Sequence, residues 1–176
     1  MGYMVKSIAS LPVNDEIDLY VFTINGNFIG GDYELVTKNF EYLAMQFGDS
    51  AAIVKGFDEF FSDELSRRYL GKSIDELWDI LPALLITDAH PEQISEESLR
   101  LLVPLHHVEE KFASFEIFFK ELINFTQTKN PQFLEKFQEK GSWVTDVLNI
   151  VDLKPNIFGV GVNINAFVDR LRGKSA

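Results

Sequence analysis

The stretch ILPALLITDAH, residues 80–90, sets Pro82 directly in front of an apolar run that is typical of a buried β-strand. Proline has no N–H group to donate to a neighbouring strand, so it is normally absent from the interior of a sheet. At the first residue of a strand the missing donor is tolerated. We therefore predict a strand over residues 83–87 that opens after Pro82.

Strand and helix signals alternate on both sides of this strand. Runs of β-branched and aromatic residues mark the strands, and apolar residues at three- and four-residue steps mark the helices. The predicted strands are residues 17–24, 51–57, 83–87 and 99–105. Four helices are predicted. The first is capped by Asp32 and runs to residue 47, and the second lies within residues 58–71. The third begins at Ser73, which forms a capping box with Glu76, and the fourth is a long helix over residues 108–126.

This β-α-β-α-β-β-α order, with a proline opening the third strand, resembles the thioredoxin-like fold over roughly residues 17–126. The resemblance implies two parallel strands joined by a helix, followed by a second crossover to an antiparallel hairpin. In that family a proline, usually cis, begins the third strand, so the resemblance implies a cis Leu81–Pro82 bond. It also places Pro82 beside the site where members of that family bind peptides, thiols or glutathione. The family's Cys-x-x-Cys motif should follow the first strand, where this chain reads NGNFIGGD and has no cysteine anywhere. Thiol–disulfide chemistry is therefore excluded, whereas a thioredoxin-like fold remains compatible with the sequence.

The C-terminal part of the chain predicts a helical extension. We expect an α/β domain over residues 1–126 and a helical extension over 127–176 that packs on it. At about 100° per residue, Phe118 of the long helix points away from the face that holds Phe112 and Phe119, so a second surface must cover it. The extension is the expected cover, and a partner protein is the alternative. The predicted interaction surface consists of Phe118, Trp143, Phe158 and Phe167.

A candidate binding site follows from the predicted topology. The loop after the first strand, the start of the third strand and the end of the fourth strand lie at one edge of the sheet, which we call the Pro82 edge. Backbone groups beside a proline at such an edge suit an extended peptide. The candidate binding residues are Asn25, Asn27, Asp32, Tyr33, Leu81, Pro82, His106 and His107.

The histidines and glycines do not predict a metal or a nucleotide cofactor. His90, with Asp88, follows the third strand, whereas His106, with Glu109, follows the fourth, and antiparallel pairing separates the two histidines by roughly 15 Å. Two adjacent histidines alone make a poor metal site. A dinucleotide fingerprint in FGVGVNINAF would need glycine at position 164, where the chain has Ile164. We therefore expect no metal and no cofactor.

Charge and hydropathy bear on partners and location. The net charge of −11 argues against nucleic acid, because binding to a phosphate backbone requires a basic surface. No apolar run approaches the roughly 18 residues of a membrane span, and the first residues lack the apolar core of a signal peptide. We therefore expect a soluble, cytoplasmic protein, for which membrane attachment is disfavoured.

The pattern favours binding over catalysis. No nucleophile elbow occurs, and the carboxylates of the second crossover, including Asp58, Glu59, Asp63 and Glu64, are interpreted as a solvated acidic face. The leading hypothesis is a non-catalytic binding or scaffolding subunit of an intracellular, bacterial multi-protein assembly, with a protein partner or a homo-oligomer. Two alternatives stay open. One is a glutathione-transferase-like or other small-molecule enzyme with its site at the Pro82 edge, and the other is a peripheral membrane protein that uses the C-terminal segment.

Overall fold

The structure, a computed structural model, describes residues 1–26, 31–95 and 98–137. The strands are β1 (Gly2–Val5), β2 (Leu19–Ile24), β3 (Ala51–Gly56), β4 (Ala83–Thr87) and β5 (Leu101–Pro104). The α-helices are α1 (Gly31–Lys38), α2 (Phe40–Gln46), α3 (Glu59–Leu70), α4 (Val108–Phe112), α5 (Phe115–Thr128) and α6 (Gln132–Glu135). Short 3₁₀ helices span Ile8–Ser10, Asp75–Ile80 and Leu105–His107.

The five strands form one mixed sheet in the order β1-β3-β2-β4-β5. Strands β1 and β2 both run parallel to β3, whereas β4 runs antiparallel to β2 and to β5. The predicted mixed α/β class is confirmed. The Leu81–Pro82 bond is cis, and β4 covers the residues predicted for it.

Helices cover both faces of the sheet. Gly2 faces α2, because a Cβ atom added there would lie 2.6 Å from the Cβ of Ala44. Phe22 points to the opposite face, where its ring packs against Phe61 and Tyr69 of α3. Because both faces are covered, every residue of β2 and β4 is buried, which explains their nearly continuous apolar sequence.

The sequence failed to predict β1 and misplaced two features of the first crossover. Strand β1 is only four residues long and shows no apolar alternation, so it carries little signal of its own. Asp32 is not a helix cap, because α1 already begins at Gly31 and Asp32 lies in its first turn. The predicted single helix is interrupted at Asn39, after which α2 begins.

The second crossover follows the capping signals more closely. The Asp58 side chain accepts the Phe60 N–H at 3.1 Å and so begins α3, and Gly71 ends it in the left-handed conformation. Glu76 accepts both the backbone N–H of Ser73 at 2.8 Å and its hydroxyl at 3.0 Å. The element that follows is a 3₁₀ helix and not the predicted α-helix.

The long helix predicted over residues 108–126 is two helices. Ala113 has a positive φ of 61°, and the Ser114 hydroxyl accepts the Ile117 N–H at 3.2 Å, so α5 has its own N-terminal cap. The break re-aims the second helix and brings the ring of Phe118 to 5.1 Å from that of Phe112. The prediction that Phe118 points away from Phe112 was therefore wrong, because it assumed one continuous helix.

The first residues of the predicted extension pack on these helices. Phe133 of α6 lies with its ring 6.1 Å from that of Phe118 and 5.1 Å from that of Phe125, and Phe137 lies 5.7 Å from Phe112. Residues 138–176, which include the rest of the predicted extension, lie outside the described residues. The division into 1–126 and 127–176 therefore stays a prediction.

Lys129 at the end of α5 is buried, and its Nζ atom meets no hydrogen-bond acceptor among the described residues. Burial lowers the pKa of Lys129 below its ordinary value, and the nearby Asp18 opposes this shift. At pH values between the lowered pKa of the folded chain and the ordinary value of 10.5, Lys129 is protonated in the unfolded chain and deprotonated in the folded chain. The free energy of unfolding should therefore rise with pH across this window.

We predict that Lys129→Met removes this contribution to the pH dependence. The difference in unfolding free energy, wild type minus variant, should increase as the pH is raised from neutral towards 10.5. Urea unfolding of both proteins at several pH values measures it. Tyr20, whose pKa is raised to about 12, is present in both chains, so its effect cancels. A difference that does not change with pH would contradict the prediction.

Candidate functional site

The topology collects five chain segments at the Pro82 edge. Ile24, the last residue of β2, pairs with Ala83, the first of β4, and Ala83 pairs with Pro104, the last of β5. Because β3 is parallel to β2, its C-terminal residue Gly56 lies at the same edge. From here on, the Pro82 edge comprises residues 24–26, 31–33, 56–62, 81–83 and 104–107.

Leu81 and Pro82 contribute mainly backbone to this edge. The Leu81 side chain is buried, and its N–H donates to the Trp78 carbonyl at 3.3 Å. Pro82 is half-buried, and its carbonyl accepts the Leu105 N–H at 2.8 Å. This bond ties the start of β4 to the residues that precede His106.

The two adjacent histidines lie together beside the first crossover. Their ring centroids are 4.2 Å apart, and His107 Nδ1 lies 3.0 Å from a carboxylate oxygen of Glu110. Although His106 as a whole is exposed, partial burial of its ring lowers its pKa, and His107 adds to the shift. Asp32 and Glu110 act in the opposite direction. The His106 imidazole is therefore harder to protonate than that of an ordinary histidine.

A small cavity of about 160 Å³ lies between the ends of β2 and β3. It is lined by Asn25, Tyr33, Gly56, Phe57, Asp58, Glu59 and Ser62. The Asn25 N–H donates to the Ser62 hydroxyl at 3.1 Å, which fixes the end of β2 against α3. Of the predicted binding residues, Asn25 and Tyr33 line the cavity. Pro82 and His106 lie at the same edge of the sheet, next to β4 and β5.

The turn from β3 to α3 is held tightly. A Cβ atom on Gly56 would lie 2.7 Å from the Cβ of Phe61 and 3.0 Å from the Asp58 carbonyl, so only glycine fits without a shift. Phe61 is fully buried, whereas Phe57 and Phe60 are 60% and 62% exposed. The turn therefore presents two aromatic side chains to solvent at the Pro82 edge.

We predict that Gly56→Ala lowers the free energy of unfolding by about 1–3 kcal/mol, because the added methyl group overpacks this turn. Urea unfolding measures the loss. An unfolding midpoint equal to that of the wild type would show that the turn is looser than its contacts indicate.

Sequence reasoning missed Phe57 and Phe60. The stretch DEFF, residues 58–61, was interpreted as part of an acidic face, and no role was predicted for its aromatic residues. One signal was present, because adjacent residues on a helix point about 100° apart and Phe60 and Phe61 cannot both face the sheet. Only the strand directions, however, place the exposed ring at the Pro82 edge.

Two carboxylates lie between the exposed phenylalanines in the sequence. Asp58 and Glu59 are exposed next to them, and Asp58 also caps α3. Asp63 is paired with Arg67 at 2.7 Å, and this hydrogen bond lowers the pKa of Asp63.

Two cations are also close in the chain. Lys55 lies two residues before Phe57, with its Nζ atom 4.8 Å from the centroid of the Phe40 ring. Lys6 follows Val5, whose carbonyl accepts the Phe57 N–H at 3.1 Å.

The residues rejected as a metal site, and the predicted interaction surface, lie away from the Pro82 edge or outside the described residues. Asp88 and His90 are at the opposite end of β4, where Asp88 accepts the Leu99 N–H at 2.7 Å and His90 Nδ1 accepts the Glu92 N–H at 3.2 Å. Phe118 is fully buried among aromatic rings. Asn27, Trp143, Phe158 and Phe167 lie outside the described residues.

Within the described ranges, no group of three or more His, Asp or Glu side chains is arranged to hold a metal ion. In the same part of the chain, no helix is both long and apolar enough to cross a membrane.

A second depression, a groove of about 490 Å³, runs between the first crossover and α5. Its walls include Leu35 and Tyr42, which are 39% and 54% exposed, and the largely buried Phe115 and Phe119. It is formed by helix side chains and lies apart from the strand ends. It therefore competes with the Pro82 edge as a place for a ligand.

Comparison of the chain with family models, with curated proteins and with solved structures finds no match.

Proposed function

We propose that the chain is a thioredoxin-like, non-catalytic binding domain that holds an extended segment of a partner protein at the Pro82 edge. In the cell it would act as a scaffolding subunit of an intracellular assembly. The observation that carries the proposal is the exposure of Phe57 and Phe60 on a rigid turn at that edge.

Strand order and direction support the fold part of the proposal. Parallel β2 and β3 are joined through α1 and α2, and a second crossover leads through α3 to the antiparallel pair of β4 and β5. A thioredoxin-like fold requires this arrangement, with Pro82 preceding the first strand of the pair. The absence of cysteine from the sequence removes the redox chemistry of that family and leaves its binding edge.

Exposed aromatic side chains support the binding part. Phenylalanine is enriched at the centres of protein interfaces, where it supplies a large apolar area with little loss of conformational freedom. The turn that carries both rings is fixed by Gly56 and by the Asp58 cap, so binding would not need to order it. An extended segment would cover these rings at the Pro82 edge.

The cavity that the described residues form at this edge is smaller than a usual small-molecule site, which favours a peptide over the glutathione-transferase-like alternative. Small-molecule sites enclose roughly 300–1,000 Å³. The cavity beside Asn25 and Tyr33 has about 160 Å³, enough for a single side chain of a larger ligand.

A peptide selection tests the proposal. The full chain is immobilised, a phage-displayed library of random peptides is selected on it, and the tightest peptide is added to ¹⁵N-labelled protein. We expect amide chemical shift changes at residues 24–26, 31–33 and 56–62. Failure to enrich any peptide, or shift changes centred on the groove at Leu35 and Tyr42, would overturn the proposal.

A further inference from the structure

We propose that two copies of the chain associate through the outer edge of β1, which pairs with the β1 of the second copy around a two-fold axis. Strand β1 is the outer strand of the sheet on the side away from β4 and Pro82. The proposal therefore concerns a surface separate from the Pro82 edge and does not depend on the proposed function.

The backbone of β1 has hydrogen-bonding groups on its outer side. The Val5 carbonyl accepts the Phe57 N–H at 3.1 Å, so it points inward, towards β3. Because backbone groups alternate in direction along a strand, those of Tyr3 also point inward, and those of Gly2 and Met4 point outward. Gly2 and Met4 are both exposed, and among the described residues β1 pairs with β3 alone. Two N–H groups and two carbonyls are therefore left for a partner strand.

The charges at this edge permit contact with a second copy. Two chains that each carry a net charge of −11 repel one another unless they meet where negative charge is not concentrated. The four residues of β1, GYMV, include neither a charged residue nor a proline, the residues that commonly protect a sheet edge. The charged groups beside β1 have both signs, namely the Met1 ammonium, Lys6, Lys55, Glu41 and Asp49.

The outward groups are complementary to themselves. In a hydrogen-bonded antiparallel pair, two opposite residues exchange both of their backbone bonds. Gly2 of each copy would pair with Met4 of the other, which gives four hydrogen bonds. Tyr3 then lies on the two-fold axis, opposite the Tyr3 of the second copy, where cross-strand aromatic side chains are close enough to pack. This symmetric pairing closes the dimer and leaves neither β1 edge exposed, which makes a second copy the fitting partner.

Sedimentation equilibrium of the full chain measures the association. The small interface of a four-residue strand predicts a dissociation constant of about 1–100 µM. Met4→Pro removes an outward N–H and none of the bonds to β3, and by symmetry it deletes two of the four bonds between the copies. The dissociation constant should therefore rise at least about tenfold. Met4→Leu, the matched control, keeps the N–H and a similar apolar volume, so its dissociation constant should stay within about twofold of the wild-type value.

A cysteine variant tests the register without a change in the backbone. The chain has no cysteine, so Tyr3→Cys introduces a single thiol. The Cα atoms of a non-hydrogen-bonded antiparallel pair lie about 4.5 Å apart, within the range that a disulfide spans. Oxidised glutathione should therefore convert Tyr3→Cys to a disulfide-linked dimer on a non-reducing gel. Ile117→Cys, at an exposed position of α5, is the control and should stay monomeric.

Three results would overturn the proposal. The first is a wild-type chain that stays monomeric at about 300 µM, above the expected dissociation constant; if its Met4 amide is also protected from hydrogen exchange, another segment of the same chain occupies the edge. The second is a dimer that is equally tight in Met4→Pro, which would place the contact elsewhere. The third is a Tyr3→Cys chain that forms linked dimers no faster than Ile117→Cys, which would exclude the symmetric register.

Discussion

Phe133→Ala is expected to lower the free energy of unfolding by about 3–5 kcal/mol, the usual cost of removing a fully packed aromatic ring. Phe133 is only 4% exposed, and its ring lies within 5.1–6.1 Å of the rings of Phe112, Phe118, Phe125 and Phe137. Urea unfolding of the full chain gives the value. Deletion of this ring leaves a cavity between α5 and α6 that neighbouring rings can fill only in part.

Phe60→Ala is the matched control for that measurement. Phe60 is 62% exposed on the first turn of α3, and its backbone N–H keeps the Asp58 cap after the change. Its effect on stability should stay within about 0.5 kcal/mol. Equal effects of the two substitutions would contradict the account, since they would mean that α6 does not bury Phe133 against α5.

The double variant Phe57→Ala, Phe60→Ala is expected to weaken binding of the selected peptide by at least about 30-fold, because aromatic anchors at the centre of an interface often contribute about 2 kcal/mol or more. Fluorescence polarisation of the labelled peptide measures the change. Met45→Ala, which removes a 78% exposed side chain from α2, controls for loss of apolar surface in general. Unchanged affinity in the double variant, or an equal loss in Met45→Ala, would exclude the two rings as the anchor.

The parts of the fold that the sequence predicted are those with strong local signals. The residues of β4 form one apolar run behind Pro82, and α3 lies between an Asp58 cap and a Gly71 stop. Strand β1 was missed because its pairing partner β3 lies about 50 residues away in sequence, a contact that no local pattern reveals. The break at Ala113 was missed because the residue is a good helix former, and tertiary packing overrides that preference.

The candidate site was predictable only in outline. Antiparallel pairing of β4 with its neighbours was enough to place Asn25, Pro82 and His106 at one edge. The packing of α3 decides which side chains at that edge face solvent. Phe61 packs against the sheet, so the adjacent Phe60 is exposed. A sequence pattern identifies an amphipathic helix, but the rotation of that helix over the sheet decides which of two adjacent rings is left for a partner.

Photo-crosslinking tests the central claim, that the Pro82 edge binds the partner segment, most directly. The photoreactive residue p-benzoylphenylalanine replaces Phe60 in one protein and Met45 in another, and each is irradiated with the labelled peptide from the selection. The account predicts a peptide adduct at position 60, competed away by unlabelled peptide, and none at position 45. Equal adducts at both positions, or an adduct at position 45 alone, would contradict it.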